Sequence, residues 1–453
     1  MTMKGTQARR VRPLLLASLL VAAMAVPAQT APRWEGPAQS AQVPSQPVAS
    51  QPVWSQPQQP PQARPLPFDV MAFETMAQQL VNGHRIPGLA MAIVRDGRIV
   101  SARGYGVTDV DAPQPVDAHT VFRLASLSKP FAGTVTAMLV GDGRLRWDQP
   151  VTSFMPDFRM QWPEAGNRLT LADLLSHRTG LTRNAYDRDI EAGADFPSLT
   201  RKLAQAPMTC APGNCYAYQN VAFSLVGDAV HAATGEFFGN AVARRIFQPL
   251  GMHDASYGLE GILGSQRWAR PHVRRGGGWR AVTPKPTYYR VGPAAGVNAS
   301  AADMAQWLLA QTGHRPDVIG PALLATVQSP QVATPTELRG SAWRRERLSS
   351  ASYGLGWRVY DYAGHRMVFH GGAVQGYRGA IAVLPDRDVG IAILWNSESS
   401  LPSGLMPTII DSALGLPAQA WLKLETGTSA SDAPQYTGEA AGSSATRATA
   451  APQ

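Results

Sequence analysis

Cysteine is almost absent from this chain, with two in 453 residues. That excludes a disulfide-dense scaffold and a four-cysteine zinc or iron–sulfur site. Charge is sparse too. Charged residues make up 16%, below the usual quarter, which argues against a solenoid of charged helices or a disordered polyampholyte. Lysine is the scarcest cation: of 41 basic residues, 36 are Arg and five are Lys (Lys4, Lys129, Lys202, Lys285, Lys423). Arginine fills the generic basic roles, so each lysine can be questioned individually. The apolar run Leu14 to Val26 is too short for a comfortable membrane span. Also missing are a G-x-S-x-G elbow, an H-E-x-x-H pair and a P-loop, which removes the α/β-hydrolase, zincin and nucleotidase readings by their usual motifs.

What is present begins with a targeting pattern. Lys4, Arg9, Arg10 and Arg12 precede the apolar run, and Val26-Pro27-Ala28 offers small residues for cleavage. Residues 1–28 therefore read as a signal peptide, the location as periplasmic or secreted, and no membrane anchor is expected after cleavage. Losing those four cations takes the formal charge from +9 to +5. That is no nucleic-acid-binding balance. Residues 29–67 are rich in Pro, Gln, Ala and Ser and read as an extended linker. Residues 423–453 read as a disordered tail. Residues 68–422 remain for one folded domain, long enough to bury a full core.

Asp69 can cap a helix that puts Val70, Phe73, Ala77, Leu80 and Val81 on one face. Ala90 to Arg95 and Arg98 to Arg103 read as strands joined by an Asp96-Gly97 hairpin turn. A helix is expected from Ser126 to Val140, and others over 225–233, 302–309 and 406–414. Strand-like runs recur at 355–360, 366–369, 379–384 and 389–395. Strands thus cluster at both ends of the domain with helices between. The order predicts an α+β fold: one antiparallel sheet built from both chain ends, covered by helices, with an inserted, mainly helical lobe.

Three short patterns can carry chemistry. Ser126-Leu127-Ser128-Lys129 is an S-x-x-K at a helix start, where a spacing of three puts both side chains on one face. A neutral lysine can activate a serine; an arginine cannot, because it does not deprotonate. Tyr218-Gln219-Asn220 precedes a helix-like run and offers a proton relay and an amide able to hold a substrate carbonyl or a lysine. His370-Gly371-Gly372 ends a strand-like run, where glycines let a substrate approach the backbone. Singly, each has a bland counterpart: an N-cap serine, a core tyrosine beside a capping asparagine, a tight turn.

Together, in this order, they resemble the serine β-lactamase and penicillin-binding-protein superfamily. The resemblance is closest to the class C-like branch, which also holds esterases and D-amino-acid peptidases. It extends through Pro87-Gly88-Leu89-Ala90, Thr120 to Ser126, Leu174 to Leu181, Pro249 to Met252 and Gly296 to Ser300. It implies a β-lactamase/transpeptidase-like fold and an acyl-enzyme mechanism on lactam, D-peptide or ester substrates, without cofactor or metal. By the same resemblance Ser126 is the nucleophile, Lys129 its proton partner and Tyr218 a general acid or base, with the choice of base between the last two open. Asn220 is then a substrate-amide contact. His370, Gly371, Gly372 and Ala373 line the substrate strand, and the N–H groups of Ser126 and Ala373 form the oxyanion hole. His370 stands where many relatives carry lysine, so a fixed charge is expected to become a titratable one. A non-catalytic cell-wall binder is the reading from another class, and retention of Ser126, Lys129, Tyr218 and Asn220 argues against it.

Lesser expectations concern other segments. Cys210 and Cys215 enclose four residues just before Tyr218, and in an exported chain a disulfide there would stiffen the loop. The segment Arg267 to Arg290 reads as a solvated loop in preference to a wall of the pocket, and His177 as a structural histidine.

Overall fold

The structure is a computed structural model and describes residues 68–422 and Leu424. The signal-peptide, linker and tail expectations lie outside the described residues, Leu424 of the tail excepted. Eight strands form one sheet: β1 (Gly88–Arg95), β2 (Arg98–Gly106), β3 (Val332–Ala333), β4 (Leu348–Tyr353), β5 (Arg358–Tyr362), β6 (His365–Val374), β7 (Tyr377–Leu384) and β8 (Val389–Trp395). Their spatial order is β2-β1-β8-β7-β6-β5-β4-β3, antiparallel throughout. The two ends of the domain meet where β1 pairs with β8, Leu89 opposite Trp395.

Both faces of the central strands are buried, and the side chains alternate between two cores. Ala90, Ala92 and Val94 of β1 face one, while Leu89, Met91 and Ile93 face the other. The second core is closed by helices α1 (Val70–Asn82) and, from the C-terminal end, Leu405–Leu414. Phe73, Ala77, Leu80 and Val81 of α1 are buried. Each large apolar side chain contributes about 1.5–3 kcal/mol by leaving water. Asp69 caps α1, its Oδ1 accepting from Met71 N at 3.0 Å and Ala72 N at 3.3 Å. The first core joins the sheet to the helical lobe through α2 (Lys129–Gly141) and α3 (Ala301–Gln311). There Phe131 stacks on Trp307 with ring centroids 4.0 Å apart.

The β1–β2 hairpin turns at Asp96 (φ +50°) and Gly97 (φ +68°), as the Asp-Gly pair predicts. The strand expected at 355–360 runs instead over Arg358–Tyr362. Gly354 to Gly356 turn away from the sheet: Leu355 N donates to Val327 O at 3.1 Å and Gly356 N to Leu175 O at 3.0 Å. Gly356 takes φ +87° while packed on the Lys129 carbonyl, a position with no room for a Cβ. β4 escaped notice because Leu348-Ser-Ser-Ala-Ser-Tyr353 reads as a loop. The Arg267–Arg290 segment is not merely a solvated loop. It holds a hairpin, His272–Arg275 with Gly278–Ala281, followed by Tyr288 at the candidate site.

Candidate active site

Ser126 sits in a 3-10 turn, Ala125–Ser128, that leads directly into α2. Three contacts hold this turn. Leu124 N donates to Val297 O at 3.0 Å. Ser128 Oγ donates to Ala125 O at 2.7 Å and accepts from Val297 N at 2.9 Å. Ala125 is left-handed at φ +50°, a conformation that costs a non-glycine residue roughly 1–3 kcal/mol and is kept only where its surroundings impose it. Of the two serines in the run, Ser128 is thus committed to structure, and the Ser126 hydroxyl turns to Lys129 and Tyr218.

β6 supports the turn from below. The expected end at His370-Gly371-Gly372 is not an end, because the strand continues to Val374. β5 accompanies it only as far as Phe369, whereas β7 pairs with it to Val374. One side of residues 370–374 is therefore free of a strand partner. Gly372 is needed because a Cβ would lie 2.5 Å from both Leu124 O and Leu127 Cδ1. That contact brings Ala373 and the Ser126 turn into one neighbourhood.

Lys129 is fully buried at 0% exposure. Its Nζ lies 3.3 Å from Ser126 Oγ, 2.8 Å from Asn220 Oδ1 and 3.2 Å from Ala294 O. Burial drives its pKa well below the usual lysine value; the carboxylate of Asp187 opposes that and the guanidinium of Arg358 adds to it. The Tyr218 hydroxyl donates to Ser126 Oγ at 3.0 Å. Burial pushes its pKa up, so it is a neutral phenol.

The Tyr218 loop is pinned on several sides. Cys210 and Cys215 are joined by a disulfide. Gly213 N donates to Arg178 O at 2.7 Å and Ala217 N to His177 O at 2.9 Å. The His177 ring lies 4.3 Å from that of Tyr218, and its Nδ1 accepts from Gln219 N at 3.2 Å. It has the structural character expected of it. Asn220 spends both ends of its amide inside the protein, on Lys129 and, through Nδ2 at 2.8 Å, on Asp187.

His370 needs a correction. It is buried, with Nε2 3.0 Å from the Tyr353 hydroxyl and Nδ1 2.8 Å from Gly371 O. Burial first, then the cations Arg358 and Lys129, hold its pKa well below the usual histidine value. It is a neutral ring at physiological pH and not the titrating charge expected in place of lysine.

Behind the site lies an ion network with no motif to announce it. Glu337 pairs with both Arg344 and Arg358 and accepts from the Tyr360 hydroxyl at 3.0 Å. The Arg358 guanidinium sits 5.7 Å from the Tyr218 ring and 5.8 Å from that of Tyr353. Burial raises the Glu337 pKa, but the two arginines outweigh it and bring it to about 2. A carboxylate depressed in the fold stabilises it fully above the unfolded value of 4.5, and loses that contribution as pH falls toward about 2. Glu337→Gln should therefore cost about 3–5 kcal/mol at pH 7, because it strands buried guanidinium charge. The gap in melting temperature between the two proteins should close between pH 4.5 and pH 2. A gap that stays constant over that range contradicts the assignment.

Asp187, Tyr288 and Arg358 were all missed. Each reaches the site from a different part of the chain, and no short motif surrounds any of them in the sequence. Among the described residues no group of acidic, histidine or cysteine side chains could hold a metal ion.

Comparison with known proteins gives the family and the fold. The family model described as Beta-lactamase matches residues 73–413. The chain is 27% identical over 354 residues to unguisins hydrolase ungD' of Aspergillus campestris (strain IBT 28561), covering 76% of this chain and 64% of that protein. It is 33% identical over 198 residues to esterase EstB of Burkholderia gladioli, covering 41% of this chain and 50% of that protein. The chain thus spans about half to just under two thirds of the length of these relatives. Among solved structures, the octameric penicillin-binding protein homologue from Pyrococcus abyssi superposes with a TM-score of 0.67 at 24% identity, over 77% of this chain and 78% of that one. That likeness supports the fold.

Proposed function

The chain belongs to the β-lactamase family, and from that premise we propose that it is a serine hydrolase that cleaves ester or amide bonds through an acyl-enzyme on Ser126. The observation that carries this reading is the convergence on one hydroxyl: Lys129 Nζ at 3.3 Å and Tyr218 OH at 3.0 Å both meet Ser126 Oγ. A neutral amine has two N–H groups and one lone pair. Ala294 O and Asn220 Oδ1 are pure acceptors and take the two N–H groups, which leaves the lone pair for the Ser126 proton. Lys129 is therefore the base of acylation. Tyr218, a neutral phenol, is the acid.

Ser126 Oγ bonds to the substrate carbonyl carbon as its proton passes to Lys129. Collapse of the tetrahedral intermediate expels the leaving group, which takes the Tyr218 proton, and the Lys129 ammonium restores that proton. Water then replaces the leaving group, the same transfers run in reverse, and Ser126 is freed. The N–H groups of Ser126 and Ala373 hold the developing oxyanion, a contribution of a few kcal/mol for each well-aimed donor.

The reading favours substrates that carry no carboxylate to be recognised. His370 is neutral and Arg358 is spent on Glu337, so neither offers a charge to a penicillin or a peptide C-terminus. We also infer action outside the cytoplasm, supported by the basic and apolar pattern before residue 28 and by the Cys210–Cys215 disulfide.

A fluorophosphonate probe followed by peptide mapping, run beside turnover of p-nitrophenyl butyrate, a D-alanine p-nitroanilide and nitrocefin, tests this. Expected are an adduct on the peptide holding Ser126 and a kcat/KM for the ester about 100-fold above that for nitrocefin. An adduct on any other residue, or no turnover of all three, would sink the reading. Binding of cell-wall peptide without turnover would favour the non-catalytic alternative.

A further inference from the structure

Asp187 opens the short helix Asp187–Glu191, directly after a turn held in an unusual conformation. Asn184 (φ +52°) and Tyr186 (φ +65°) are both left-handed non-glycine residues, and Asn184 N donates to Tyr218 O at 2.8 Å. The strain is spent on presenting one carboxylate to the buried side of the site. Asp187 Oδ2 accepts from Asn220 Nδ2 at 2.8 Å and from the Tyr288 hydroxyl at 3.5 Å. Tyr288 also reaches Glu191 Oε1 at 3.3 Å. The titratable and charged groups facing Asp187 are thus Tyr288 and Glu191 and, across Asn220, Lys129 and Tyr218.

We propose that Asp187 is a positioning residue of the reaction: its carboxylate locks the Asn220 amide so that Oδ1, rather than Nδ2, faces Lys129. The proposal rests on the serine-hydrolase reading. An ionised carboxylate only accepts, so the NH₂ end of the amide must turn toward Asp187. The oxygen then turns toward Lys129 and consumes one of its N–H groups. With the amide reversed, Nδ2 would face the amine, claim its lone pair and withdraw the base from Ser126. Among the described residues the Asn220 amide meets Lys129 and Asp187, and of the two the carboxylate discriminates its ends more strongly. Lys129, able to donate or accept when neutral, tolerates either. Burial pushes the Asp187 pKa up to about 6, so the lock is set above that pH.

The test compares the full chain with Asp187→Leu and Asp187→Asn on the p-nitrophenyl ester between pH 5 and 9. Asp187→Leu should lose about 30-fold in kcat with KM changed less than about threefold, because orientation of the base is lost and not substrate binding. Asp187→Asn can still accept from Asn220 through its own Oδ1, so it should lose only about threefold. Its acid limb should move to lower pH by about one unit, since the negative charge that raised the Lys129 pKa is gone.

An Asp187→Leu variant within twofold of the parent, or an asparagine variant as impaired as the leucine one, overturns the proposal. If the leucine variant does not fold, an unmoved acid limb in Asp187→Asn overturns it alone. Probe labelling of the unsubstituted protein separates the two claims. Absence of an adduct on Ser126 sinks the underlying reading, whereas a normal adduct with an unimpaired leucine variant sinks only the role of Asp187.

Discussion

Ser126→Ala is expected to remove turnover by a factor on the order of 10⁴ or more and to abolish covalent labelling. The size of the effect follows from the lack of a substitute. Ser128 is two residues away in the same turn, but its hydroxyl is held between Ala125 O and Val297 N. Freeing it would break the contact that shapes the turn. Ser126 is only partly buried and its hydroxyl gives the fold little, so the melting temperature should stay close to that of the parent. Intact-mass measurement after incubation with the fluorophosphonate probe checks both points. An adduct of normal yield on the alanine variant would show that another residue is the nucleophile.

Lys129→Arg should be nearly as damaging, about 10³–10⁴-fold in kcat, although it keeps the positive charge. The guanidinium does not deprotonate and has no lone pair to offer Ser126. It must also fit a fully buried position between Asn220, Ala294 and the rings of Tyr218 and Phe223. The pH profile separates these causes. In the parent, activity should rise as pH climbs through the lowered Lys129 pKa, because the neutral amine is the working form. The arginine variant should stay flat and low to high pH. A variant with parental turnover would remove lysine from the mechanism and leave Tyr218 as the base.

The residues of the reaction were legible because they come in short runs. Ser126 and Lys129 are three apart, Tyr218 and Asn220 two apart, and the scarcity of lysine singled out Lys129. The central strands were legible for a related reason. Buried on both faces, β1, β7 and β8 read as continuous apolar segments. What stayed hidden depends on contacts between distant segments. Nothing near Arg358 in the chain reveals Glu337 or the Tyr218 ring. The neutrality of His370 follows from burial beside Arg358 and Lys129, which its own neighbours in sequence do not encode. β4, with three serines in six residues, looks like surface until the sheet supplies its partners. The Gly354–Gly356 turn looks like strand until α2 is seen to occupy its place.

The pairing of β1 with β8 also bears on the order in which the protein can form. About three hundred residues separate Leu89 from Trp395, and the cost of closing so long a loop is met before any of its contacts is made. During synthesis the β1–β2 hairpin emerges early, with Leu89, Met91 and Ile93 on one face and Ala90, Ala92 and Val94 on the other, both destined for burial. Its partner edge arrives only with residues 389–395. Until then one edge of β1 has no strand partner and is open to pairing with another chain. A chain cut short before Val389 would carry the residues named around Ser126 and still lack the strand that joins its first hairpin to the rest of the sheet.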